Sequence, residues 1–107
     1  MATLSVLYPR SAGSRFDYNY YQTKHLPMVA QRWANAGLTG GEALLGKAGA
    51  DGGEAPFFAI GIIHFETAEA LQAALRGEHA PEVIGDIRNF TDVEPIMQVN
   101  ERSAPAA

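Results

Sequence analysis

The sequence predicts an α+β domain built on a four-stranded antiparallel sheet, in the order strand, helix, strand, strand, helix, strand. Three observations carry that expectation. Thr3 to Tyr8 alternates with a period of two, and Phe57 to Phe65 is an apolar run of strand length. Between and after these runs stand two segments with helical spacing, each preceded by a capping residue and closed near a glycine. Phe57 to Phe65 is also apolar on both faces, so both sides of it need cover.

The first strand places Leu4, Val6 and Tyr8 on one face and Thr3, Ser5 and Leu7 on the other, and Pro9 ends it. Arg10 to Arg15 holds Ser-Ala-Gly-Ser and reads as a loop. Asp17 can cap the next helix by accepting a free backbone N–H. Within that helix Tyr18, Tyr21 and His25 fall at i, i+3 and i+7, which puts them on one face. Pro27 removes an N–H and crowds the turn before it, so a break or kink is expected near Thr23 to Leu26. Leu26, Val29, Ala30 and Trp33 continue the helical spacing to a stop at Ala36-Gly37.

Thr39 to Lys47 is a weak second strand, and Ala48 to Pro56 reads as a hairpin connection. The third strand sets Phe57, Ala59, Gly61, Ile63 and Phe65 on one face. Phe58, Ile60, Ile62 and His64 fall on the other. Thr67 caps the helix Ala68 to Leu75, and Gly77 stops it. Ala80-Pro81 opens another helical piece with Val83, Ile84 and Ile87 on its apolar stripe and Asp86 off it. Asp92 to Asn100 is the last strand, and Pro95 makes it an edge or puts a bulge in it. This is a ferredoxin-like βαββαβ order. Two helices cover one face of such a sheet; the cheapest cover for the other is a second copy of the chain, giving a dimeric α+β barrel.

Composition narrows the classes. A chain of 107 residues suggests one domain, 1–107, with 47% hydrophobic and 19% charged residues in an ordinary globular balance. The net charge is −4 and the eight basic residues form no run, which argues against nucleic acid as a partner. The absence of cysteine excludes disulfides, a thiolate nucleophile and a zinc-thiolate site, and fits a cytoplasmic setting. No apolar run is long enough to cross a membrane, and no signal peptide is expected. The tail Ser103 to Ala107 reads as a frayed end.

Several stretches resemble the EthD family, of the dimeric α+β barrel superfamily. They are Tyr8-Pro9, Phe16-Asp17, Tyr20-Tyr21, Lys24-His25-Leu26-Pro27-Met28-Val29, and Asp86 through Phe90-Thr91-Asp92 with Glu94-Pro95. The likeness spans Tyr8 to Gln98. It implies a homodimer with a cleft in each subunit between helices and sheet. The family's namesake is associated with ether degradation by a cytochrome-dependent system. Superfamily relatives include lactone isomerases and cofactor-independent monooxygenases or cyclases of aromatic polyketides, and some bind haem. The resemblance therefore implies fold more than reaction.

His25 is the candidate acid–base group, because an imidazole can take and give a proton near neutral pH. The alternative is a structural histidine at the proline kink. Tyr8, Tyr18 and Tyr21 are candidate walls of a substrate pocket, and Tyr21 stands four residues before His25. His64 is a further candidate for substrate contact; a strand-end histidine can equally be structural. His25, His64 and His79 show no metal-ligand spacing, so neither metal nor cofactor is expected. Asp86 and Asp92 read as turn and cap residues.

Three functional readings follow. One is a cofactor-independent isomerase, dehydratase or oxygenase that acts on a small hydrophobic carbonyl, lactone or aromatic compound, with His25 as proton shuttle. Another is a non-catalytic accessory or ligand-binding homodimer of a degradation or biosynthetic pathway. Haem binding at an axial histidine is a third.

Overall fold

In the computed structural model, β1 (Ala2–Pro9), β2 (Leu38–Leu45), β3 (Phe57–Phe65) and β4 (Ile96–Glu101) form one sheet. Its order is β2-β3-β1-β4, and every neighbouring pair is antiparallel. The structure describes residues 1–103, so most of the tail read as a frayed end lies outside the described residues. The fold is the ferredoxin-like βαββαβ unit.

All helices lie on one face of the sheet. There Leu4, Val6, Tyr8, Ala59 and Phe65 meet Tyr21, Val29, Trp33, Leu71, Val83, Ile87 and Phe90 in a single buried core. Period-two alternation puts the other side chains of β1 and β3 on the uncovered face. The register lines them up there. Leu44, Ile60, Leu7 and Ile96 form one aliphatic row across all four strands. Gly40, His64, Thr3 and Asn100 form a polar row nearer one end.

Between β1 and β2 the chain runs through α1 (Tyr18–Tyr20), a π-helical turn (Tyr21–His25) and α2 (Leu26–Arg32) without interruption. The expected break is therefore a widening instead. The N–H of Leu26 reaches back five residues to the carbonyl of Tyr21, and the wide turn ends just before Pro27, which has no N–H to contribute. Asp17 caps this helix as expected, accepting the N–H of Tyr20 at 3.0 Å.

α3 (Ala68–Arg76) starts at Thr67, whose hydroxyl accepts the N–H of Ala70 at 3.0 Å. α4 (Ala80–Gly85) carries Pro81 in its first turn and runs into a 3₁₀ turn, Asp86–Asn89. β4 begins only at Ile96, because Pro95 cannot join the ladder. Phe58 differs from simple alternation as well. The β1–β3 register slips between Tyr8 and Pro9, leaving Phe58 without a partner, and its ring stacks on Phe16 at 5.5 Å inside the core.

Candidate active site

The segments that flank the π-helical turn and the 3₁₀ turn are tied together by two hydrogen bonds. The N–H of Asp17 donates to the carbonyl of Phe90 at 2.7 Å, and the Thr91 hydroxyl donates to the carbonyl of Arg15 at 2.7 Å. These clamps set the helix carrying His25 beside the turn carrying Asp86. The fully buried Phe90 ring lies between the two elements, 4.7 Å from the His25 ring and in contact with Tyr8 and Tyr21.

His25 Nδ1 and Asp86 Oδ2 are 2.9 Å apart. The other carboxylate oxygen, Oδ1, accepts the Tyr20 hydroxyl at 2.7 Å and the Asn89 amide at 2.9 Å. Burial raises the Asp86 carboxyl, but the hydrogen bonds from Asn89, His25 and Tyr20 together outweigh it and leave its pKa below the ordinary value. Asp86 is thus an ionised acceptor, and Nδ1 of His25 must carry the proton. Burial lowers the His25 pKa, with Asp86 opposing it in part. The imidazole is therefore neutral at neutral pH, with its lone pair on Nε2.

Nε2 forms no hydrogen bond with the described residues, and neither do the hydroxyls of Tyr8 and Tyr21. Yet no buried side-chain nitrogen or oxygen among the described residues is both unpartnered and sealed. These three atoms must therefore border open space. The space that the three residues share is a hollow of about 30 Å³ under the π-helical turn, walled otherwise by apolar side chains such as Leu4, Val6 and Val29. It has room for one or two water molecules or a single polar group. An outer cleft of about 180 Å³ adjoins it towards the β2 edge, sharing the walls Leu26, Val29, Gly61 and Ile63.

Burial lifts the Tyr21 hydroxyl to about 12. The Tyr8 hydroxyl is raised further, by burial and then by Tyr21 beside it. Both remain protonated and act as donors to whatever oxygen enters. Two neutral donors and one neutral base around a small apolar hollow can polarise a carbonyl and take a proton from the carbon beside it.

Of the residues proposed from sequence, Tyr8, Tyr21 and His25 come together in this hollow. Tyr18 does not: its hydroxyl donates to the carbonyl of Phe58 at 3.3 Å. His64 lies on the uncovered face, where its Nδ1 is hydrogen-bonded to the Thr3 hydroxyl at 2.9 Å. Asp86, expected to serve as a turn or cap residue, instead holds His25. Only the grouping of Asp86 with the Asn89-Phe90 stretch hinted at it. Among the described residues no group of three or more His, Cys, Asp or Glu could hold a metal ion. A haem at Nε2 does not fit a hollow of this size. No helix among the described residues is long and apolar enough to cross a membrane.

No family model matches the chain, and no curated protein matches it. Solved structures do. An EthD-like protein from Ralstonia eutropha is 36% identical, with a TM-score of 0.84 over 94% of this chain and 89% of that one. An EthD family protein from Bacillus halodurans is 20% identical, with a TM-score of 0.75 over 96% and 99%. A cofactor-independent oxygenase from Streptomyces nogalater shares the fold at 12% identity, with a TM-score of 0.58 over 98% and 96%.

Proposed function

The chain belongs to the EthD family, and on that premise we propose that it is a homodimeric, cofactor-independent enzyme moving a proton at a carbon next to a carbonyl group. The substrate class is a small, neutral, hydrophobic ketone, ester or lactone. One observation carries this reading. Tyr8, Tyr21 and His25 line one apolar hollow, their hydroxyls and Nε2 have no hydrogen-bond partner among the described residues, and Asp86 holds the far side of the imidazole.

In this reading the substrate oxygen accepts from Tyr8 and Tyr21. Its acidified C–H gives its proton to His25 Nε2, and the electron pair moves onto the oxygen as an enolate. The tyrosine hydroxyls stabilise the charge as it develops, in a site that excludes most water. Asp86 stabilises the imidazolium and keeps the ring from turning. Return of the proton from Nε2 to a different carbon completes an isomerisation. Dehydration and oxygenation share the same first abstraction.

The uncovered face of the sheet supports the homodimer. Leu44 and Ile96 are each about half exposed, at 51% and 55%, and they flank Ile60 and Leu7 in the aliphatic row. A second copy of that row is the simplest cover. We assign the protein to the cytoplasm on composition, since a cysteine-free chain needs no oxidising compartment to fold.

The test is deuterium uptake from heavy water at the carbon beside the carbonyl, across a panel of neutral ketones and lactones, followed by proton NMR. Uptake that His25→Ala abolishes supports the reading. Binding by the same compounds with no uptake in either protein would leave an accessory ligand-binding dimer in its place.

A further inference from the structure

Gly61 occupies the point on β3 where the inner hollow and the outer cleft meet, and it lines both. Glycine in the middle of a strand weakens it, and one that stays there often marks a close approach by something else. Its backbone does not explain it. Gly61 is absent from the positive-φ glycines Gly13, Gly37, Gly40 and Gly52. What the missing side chain supplies is space. A Cβ at this position would stand 3.1 Å from the Tyr21 hydroxyl, tighter than ordinary van der Waals contact, and would raise the floor between the two hollows.

The two spaces differ in chemistry. The inner one is lined by Tyr8, Tyr21 and His25, whose hydroxyls and Nε2 have no hydrogen-bond partner among the described residues. The outer one is walled by the apolar side chains of Leu26, Val29, Leu38 and Ile63, and among the described residues no lysine or arginine lines either space. A carboxylate or phosphate ligand would therefore find no charged partner among the described lining residues.

We propose that Gly61 is a specificity-determining residue. It keeps the hollow and the cleft continuous, so that the site takes an elongated neutral ligand with a carbonyl at one end and an apolar body lying across Gly61. This rests on the reading of Tyr8, Tyr21 and His25 as the reacting end.

The probe is a series of straight-chain methyl ketones from about four to about ten carbons, with binding to the full chain measured by protein-observed NMR titration. In the unaltered protein affinity should rise roughly fourfold per added methylene until the cleft is full. Gly61→Ala should weaken the longest well-bound ketone by roughly tenfold or more, and the shortest by no more than about threefold. Ala30→Leu is the second variant. Ala30 lines only the outer cleft and is exposed on α2, where leucine suits a helix. It should reproduce the selective loss of long ligands, and it decides the matter alone if Gly61→Ala does not fold. Unchanged length dependence in the folded variants, or none in the unaltered protein, overturns the proposal. Because binding is what is read, an error about His25 chemistry shows up separately, as missing deuterium uptake with the length dependence intact.

Discussion

The two faces of the sheet are incomplete in opposite ways. On the helix side one buried apolar core forms, and beside it the polar atoms Tyr8 Oη, Tyr21 Oη and His25 Nε2 have no hydrogen-bond partner among the described residues. On the uncovered side the polar groups pair with one another. Thr3 bonds His64, and the Asn100 amide donates to the Ser5 hydroxyl at 2.8 Å and to the carbonyl of Thr3 at 3.0 Å. What is left over there is aliphatic. Adjacent residues of one strand, Leu7 and Tyr8, belong to these two different deficits. Unsatisfied polar atoms in an apolar hollow call for a small polar ligand. Uncovered aliphatic rows call for a surface.

The largest expected effect attacks the first deficit. His25→Ala should lower the rate of deuterium uptake by about a thousandfold, the usual worth of a general base. A drop of less than about threefold would make His25 structural. Leu7→Glu attacks the second deficit from the centre of the aliphatic row. It should raise the dimer dissociation constant by about a hundredfold or more in sedimentation velocity, because a carboxylate would be buried without a partner. A monomer at all working concentrations in the unaltered protein would remove the second half of the comparison.

Tyr21→Phe sharpens the first half. It should cost about tenfold to a hundredfold in uptake, since one of two donors is lost. It should leave the denaturation midpoint unchanged or slightly higher, because the hydroxyl removed has no hydrogen-bond partner among the described residues. A structural hydroxyl would show the reverse pattern, with stability lost and activity kept.

The smallest effect is on pH. Both members of the His25–Asp86 pair have folded pKa values below their ordinary ones. The unfolded chain therefore binds more protons on acidification, and stability falls as pH drops below the ordinary histidine value, about 6.5. The loss continues as pH passes through the carboxylate range. Urea midpoints at neutral and mildly acid pH should show it, and His25→Ala should flatten the first part of the slope.

Much of the fold was legible because its signals are local. The alternation of Leu4, Val6 and Tyr8, the caps at Asp17 and Thr67, and the two-sided apolarity of β3 all depend on near neighbours in sequence. The site was legible only in half. Tyr21 and His25 lie four residues apart, so helical spacing found them. Asp86 is separated from His25 by 61 residues, and beyond its grouping with the Asn89-Phe90 stretch its local sequence does not reveal a partner across the fold. Tyr18 met the same spacing rule as Tyr21, yet it lies before the wide turn and is spent on the Phe58 carbonyl. Phe58 escaped alternation because a bulge is a defect in the very period being read.

Nitrogen-15 NMR of the histidine rings tests the central claim most directly. At neutral pH the account predicts a neutral His25 with its proton on Nδ1 and a bare Nε2, and a loss of that tautomer preference in Asp86→Asn. A His25 protonated on Nε2, or on both nitrogens, at neutral pH would leave no lone pair facing the hollow and would contradict it.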